Sequence, residues 1–125
     1  MGKVILIVDD SPIIRSIIKK TLHLADIDIS HVHESSQGEN ALEILEENAV
    51  DLMFVDINMP VMNGEELIES VKRRGLLEDM SVIVVSTEGS KPRVDKLKSK
   101  GVNAYVRKPF TPEILRNTVG TVIKE

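Results

Sequence analysis

Short, unbroken apolar runs, each closed by polar residues, constrain this chain more than any other feature. Val4 to Val8, Leu52 to Val55 and Val82 to Val85 contain no polar side chain. Runs this short, bounded and rich in strand formers, read as strands buried on both faces. The first ends in Asp9-Asp10, followed by Ser11-Pro12, a capping hydroxyl with proline at the first helical position. The second ends in Asp56, with Asn58, Pro60 and Asn63-Gly64 forcing a loop before Leu67, Ile68 and Val71 resume at helical spacing. The third, predicted over 81–87, ends in Ser86 and Thr87, with Glu88-Gly89-Ser90 as a loop.

The remaining segments complete the pattern. The first helix is predicted to run to about Ala25. Its apolar set (Ile13, Ile14, Ile17, Ile18, Leu22, Leu24) is wider than one buried stripe needs. That excess fits either a partner-facing patch or burial on two sides. Ile27 to Glu34 alternates weakly and reads as an edge strand. His31 and His33 flank Val32; a His-x-His metal pair is one reading, but with no third ligand nearby two surface histidines is the favoured one. Ser35 to Gly38 is a turn, and Ala41, Leu42, Ile44 and Leu45 mark a second helix ending near Asn48. The third helix closes at Gly75. Lys91 to Lys100 is a short basic helix with Val94 and Leu97 inward, stopped by Gly101. Asn103 to Arg107 is a fifth strand. Thr111-Pro112-Glu113 opens the last helix, whose apolar face is Ile114, Leu115, Val119, Val122 and Ile123. Five strands alternating with five helices through short, right-handed crossovers give an α/β three-layer sandwich around a parallel sheet. The length, 125 residues, predicts one domain with its own core.

Composition excludes several functions. There is no cysteine, hence no disulfide scaffold. No apolar stretch is long enough to span a membrane, and Asp9-Asp10 interrupts the N-terminal run too early for a signal peptide. Net charge is −4 and the only aromatics are Phe54, Tyr105 and Phe110, which argues against nucleic-acid binding.

The polar clusters share one location, the carboxyl ends of strands, where open α/β sheets bind ligands. Asp9 and Asp10, Asp56, Ser86 with Thr87, and Lys108 all fall there. Three neighbouring carboxylates cannot all stay ionised without compensation. A hard divalent cation such as Mg2+ supplies it and leaves room for a phosphoryl oxygen. Lys108 offers a mobile positive charge and Ser86 a hydroxyl donor. The chemistry this permits is phosphoryl transfer onto a carboxylate, with Asp56 as the nucleophile. No Walker P-loop is present, so ATP bound here is not the expected donor.

Four motifs carry a family resemblance over essentially the whole chain: I-L-I-V-D-D-S, M-F-V-D-I-N-M-P-V-M-N-G, V-I-V-V-S-T-E-G-S and Y-V-R-K-P-F. Each alone is weak. In this order and spacing, the chain resembles the CheY-like receiver domains of two-component response regulators. The resemblance implies a flavodoxin-like (βα)5 fold with strand order 2-1-3-4-5. It implies that Asp56 accepts a phosphoryl group from a kinase phosphohistidine. Asp10 would bind Mg2+ directly, Asp9 mainly through water, and the Asn58 carbonyl would complete the protein ligands beside Asp56. Ser86, the Thr87 backbone N–H and Lys108 would contact the phosphoryl group, with Lys108-Pro109 as a cis peptide. Ser86 and Tyr105 would form the switch. Thr87 departs from the family, which often has alanine there.

Nothing follows the last helix, so a single receiver domain over 1–125 without an output domain is expected. It would be a monomeric, cytoplasmic protein that signals by protein contact and is not a conventional enzyme. E-G-S after Ser86-Thr87 and the T-P-E helix start resemble stand-alone chemotaxis-type regulators. The expected partners are a histidine kinase and an output protein such as a flagellar motor component. The alternative is a phosphorelay shuttle to a histidine phosphotransfer protein. An aspartyl-phosphate hydrolase of related fold is disfavoured, because Asn58 stands where a second acid would be needed. The kinase is expected to dock on the first helix through Ile14 and Ile18, and on the loop after strand five. The output surface is expected at Lys91, Arg93, Lys96, Lys98, Lys100 and Tyr105.

Overall fold

A computed structural model describes residues 2–25 and 27–123. Its elements follow in the order β1 (Lys3–Val8), α1 (Pro12–Leu24), β2 (Ile29–Ser35), α2 (Gly38–Glu47), β3 (Leu52–Val55), α3 (Gly64–Arg73), β4 (Ser81–Ser86), α4 (Lys91–Ser99), β5 (Ala104–Arg107) and α5 (Pro112–Val122). The strands form one parallel sheet of order β2-β1-β3-β4-β5, so the fold is flavodoxin-like. Alternation along each strand sorts the core into two layers. Leu6, Val8, Met53, Val55, Val82 and Val84 face α2, α3 and Leu97 of α4. Ile5, Ile7, Leu52, Phe54, Ile83, Val85 and Val106 face α1 and α5. Because every central strand is covered on both sides, its sequence has no polar position to spare. That is why these strands appear as continuous apolar runs.

Element ends are set by caps that the sequence signals. Ser11 Oγ accepts from the Ile14 N–H at 3.3 Å, and Thr111 Oγ1 accepts from the Ile114 N–H at 3.1 Å. Asn63 and Glu66 form a capping box at the start of α3, each side chain accepting from the other's backbone N–H. Gly75 and Gly101, at φ +73° and +106°, turn the chain out of α3 and α4.

The observed bounds differ from expectation at a few places. β2 begins at Ile29, because the Asp28 carbonyl is the first to accept from β1, through the Lys3 N–H. β5 begins at Ala104, because the Asn103 side chain takes the Val82 N–H at 2.8 Å. Val94 is only half-buried, so Leu97 alone anchors α4 on the core. On α1, burial is one-sided: Ile18 and Leu22 are core, while Ile13 and Leu24 are 71% and 77% exposed. Among the described residues no helix is long and apolar enough to cross a membrane.

Candidate functional site

The carboxyl edge of the sheet gathers its polar residues because β1, β3, β4 and β5 all end there. Asp9 follows β1, Asp56 follows β3, Ser86 closes β4 and Lys108 follows β5. Asp9, Asp10 and Asp56 each place a carboxylate oxygen within 4.8 Å of the others. Asp9 and Asp56 are buried and Asp10 is exposed. The Lys108 ammonium bridges the two buried acids, 2.9 Å from Asp9 Oδ2 and 3.3 Å from Asp56 Oδ2. Asp9 Oδ1 accepts from the Ser11 N–H at 2.9 Å, and Asp56 Oδ1 accepts from the Asn58 N–H at 3.2 Å. The Lys108–Pro109 peptide is cis.

The electrostatics show strain that a cation would relieve. Burial raises the Asp9 pKa above the ordinary carboxylate value. The Ser11 N–H and Lys108 oppose this without overcoming it. Burial pulls the Lys108 ammonium down, but the hydrogen bond and charge of Asp9 and the charge of Asp56 outweigh it, so its pKa stands raised. One ammonium therefore serves two buried carboxylates, with a third beside them. An all-oxygen donor set of this kind suits a hard cation such as Mg2+, which binds through one or two carboxylates and keeps several waters.

A second group sits beside the carboxylates. Ser86 is fully buried, and its hydroxyl accepts from the Glu88 N–H at 3.3 Å. Thr87 is exposed, with its Oγ1 accepting from Asn58 Nδ2 at 3.4 Å. Tyr105 is half-buried, packed on the α2–α3–α4 side of the core, and its hydroxyl donates to the Glu88 carbonyl. Burial raises the Tyr105 pKa, opposed by the neighbouring Ser86 hydroxyl.

Two expectations need correction. Ile18 is 1% exposed and belongs to the core with Leu22, while Ile14 is half-buried against the same layer. The apolar residues of α1 that reach the surface are Ile13 and Ile17, one helical step round, and Leu24 at its carboxyl end. The basic helix α4 does not present five free charges. Glu65 of α3 pairs with Arg93 at 3.2 Å, Lys96 at 3.2 Å and Lys100 at 3.0 Å. Glu69 also pairs with Lys100, Glu88 with Arg93, and Asp95 with Lys91. Of the five cations, Lys98 has no ion pair among the described residues.

Sequence reasoning missed Arg15, whose guanidinium donates to the Asp9 carbonyl at 2.6 Å and pairs with Glu34 at 3.0 Å. Glu88 reads in the sequence only as part of the E-G-S loop, yet its backbone N–H and carbonyl bond Ser86 and Tyr105. Gly64, a turn signal in the sequence, has a second role. A Cβ there would collide with the Asp56 carbonyl oxygen, so glycine lets α3 start directly beneath the acidic edge.

Fold and site together define a doubly wound α/β domain with an acidic, lysine-bridged sheet edge. Residues 5–120 match the response regulator receiver domain. The chain is 42% identical over 120 residues to a chemotaxis protein CheY homolog of Campylobacter jejuni, covering 95% of this chain and 91% of that protein. It is 38% identical over 120 residues to chemotaxis protein CheY1 of Helicobacter pylori, covering 95% of each. The structure of chemotaxis protein CheY4 of Vibrio cholerae superposes with a TM-score of 0.87 at 30% identity, covering 98% of this chain and all of that one. The chain belongs to the response regulator receiver family.

Proposed function

We propose that Asp56 accepts a phosphoryl group from the phosphohistidine of a histidine kinase, and that the phosphorylated protein signals by binding an output partner. The convergence of Asp9, Asp10 and Asp56 on the Lys108 ammonium carries this reading. An Asp56 carboxylate oxygen attacks phosphorus, the P–N bond to imidazole breaks and a P–O bond forms. Asp10, Asp56 and the Asn58 carbonyl would hold Mg2+, with Asp9 acting mainly through water. The cation supplies neutralisation of the charge gathered on the transferring group. Lys108 is released from Asp56 to pair with a phosphoryl oxygen, and the Thr87 N–H donates to another.

The kinase docks on α1, at the exposed Ile13 and Ile17, and on the loop between β5 and α5. The output surface is the face of α4, β5 and α5, including Tyr105 and Lys98. Arg93, Lys96 and Lys100 become available there only to a partner whose acids compete with Glu65. Similarity to chemotaxis proteins supports a chemotaxis-type output, such as a flagellar motor component, over a phosphorelay shuttle. The protein acts as a single receiver domain in the cytoplasm, and turnover is limited to its own phosphorylation and dephosphorylation.

The test is incubation with acetyl phosphate and Mg2+ followed by intact-mass measurement. The wild type should gain one phosphoryl mass and Asp56→Asn none. Uptake by that variant at the wild-type rate would move the acceptor elsewhere.

A further inference from the structure

β2 is an outer strand of the sheet, bonded only to β1. It carries two imidazoles that the proposed phosphoryl chemistry does not use. Residues two apart on a strand share a face. His31 lies beside Val4 and His33 beside Leu6, which places both on the α2 side. Their ring centroids are 4.2 Å apart, with the planes at 63°. They line an open recess of about 380 Å3 with Val4, Asn48 and Ala49. Asn48 caps the carboxyl end of α2 and gives its amide nitrogen to the Ile44 carbonyl at 2.9 Å, which leaves Oδ1 as its spare oxygen. A helix carboxyl end carries partial negative charge and favours a cation.

We propose that His31 and His33 form a two-imidazole site for a borderline divalent transition cation (Zn2+, Ni2+ or Cu2+), separate from the acidic edge. Imidazole nitrogen suits these metals, whereas Mg2+ prefers oxygen. Two imidazoles on one metal, each with nitrogen about 2.0–2.1 Å from it, have centroids about 5 Å apart. A small rotation of the exposed His31 ring supplies that opening. Among the described residues no third histidine or carboxylate joins the pair. The other coordination positions therefore belong to water or to a ligand from outside the chain, and the site exchanges its metal readily.

The test is a calorimetric titration of the whole protein with ZnCl2 in excess Mg2+, paralleled by imidazole nitrogen NMR. The expected result is one Zn2+ per chain, with His31 and His33 signals shifting and His23 unmoved. His31→Ala and His33→Ala should each weaken Zn2+ by on the order of 100-fold, because two ligands on one rigid strand bind far more tightly than one. Acetyl phosphate uptake at Asp56 should be unchanged in both. His33→Gln keeps the bulk beside Leu6 and should lose Zn2+ equally, so a folding defect in His33→Ala leaves the test intact. No binding at millimolar Zn2+, or an isotherm unchanged in the double variant His31→Ala/His33→Ala, overturns the proposal.

Discussion

Val61 holds φ at +69° with its side chain 92% exposed, in the loop between Asp56 and α3. A β-branched residue in the left-handed region is strained, and no burial of its side chain compensates. The left-handed conformation costs a non-glycine residue roughly 1–2 kcal/mol. Glycine returns part of that, about 0.5–1 kcal/mol, as lost chain entropy. Val61→Gly should therefore raise stability in urea unfolding by about 0.5–1 kcal/mol. A lower midpoint would show that the Val61 side chain stabilises the loop in a way its exposure hides. The same local accounting explains what was legible at this scale. Asp9, Asp56 and Ser86 each follow an apolar run or close it, and Lys108 follows the fifth strand, so their place at one edge could be read from strand boundaries alone. Arg15 could not. Its target is the Asp9 backbone carbonyl, an acceptor that every residue has and no motif marks.

At the scale of elements, α1 shows where periodicity stops being decisive. Ile13, Ile14, Ile17 and Ile18 occupy two adjacent faces, and the sequence offers apolar residues on both. Which face is buried depends on how α1 sits across β1 and β3 and against α5, a tertiary fact. Ile18→Ala should cost about 2–4 kcal/mol in urea unfolding, as expected for a fully buried aliphatic residue. Ile13→Asp, at a 71% exposed position, should leave the thermal transition nearly unchanged and preserve phosphorylation by acetyl phosphate while abolishing that by the kinase. Normal transfer from the kinase to Ile13→Asp would remove this face from docking. The pairing of α3 with α4 was equally hidden, since Glu65 and Glu69 are far in sequence from the cations they meet. Glu65 is held below the ordinary carboxylate range by its Lys100 hydrogen bond first, against some burial, then by Lys96 and Arg93. A depressed folded pKa stabilises above the unfolded value, ordinarily about 4.3 for Glu. That contribution is lost as pH falls through the folded value. Glu65→Gln should therefore lower the urea midpoint at pH 7, and the gap from wild type should close as pH drops below about 4.3. A gap that does not narrow at all as pH falls below about 4.3 would mean that Glu65 acts through packing.

For the whole molecule, the question is how a change at the acidic edge reaches a surface that a partner can read. The strand order followed from a family likeness resting on four motifs spread along the chain, while the register did not. The connection between site and surface was only partly legible. Ser86 and Tyr105 were marked by type, but Glu88 stood out only as part of the E-G-S loop, because it links them through backbone groups that every residue has. In the structure the Ser86 hydroxyl accepts from the Glu88 N–H while the Tyr105 hydroxyl donates to the Glu88 carbonyl. One residue thus holds both members of the proposed switch. Arg93 ties the same residue to α4. A phosphoryl group on Asp56 would offer Ser86 a charge-assisted acceptor worth about 1.5–3 kcal/mol. Turning toward it removes the acceptor of the Glu88 N–H and frees the loop between β4 and α4 to move. Tyr105 then loses its fixed partner, and its ring is free to settle deeper beside β4. A differential of this size shifts a two-state equilibrium by roughly 10- to 100-fold, a graded switch. Ser86→Ala should therefore still take up phosphate at Asp56 yet lose most of the gain in partner affinity. Glu88→Ala keeps both backbone groups and deletes only the contact to Arg93, so it should retain most of that gain. NMR of the Tyr105 ring with and without beryllofluoride reads the step directly. The wild-type ring should change environment, and the ring in Ser86→Ala should change far less. Equal shifts in both would route the signal around Ser86, through the α3–α4 contact instead.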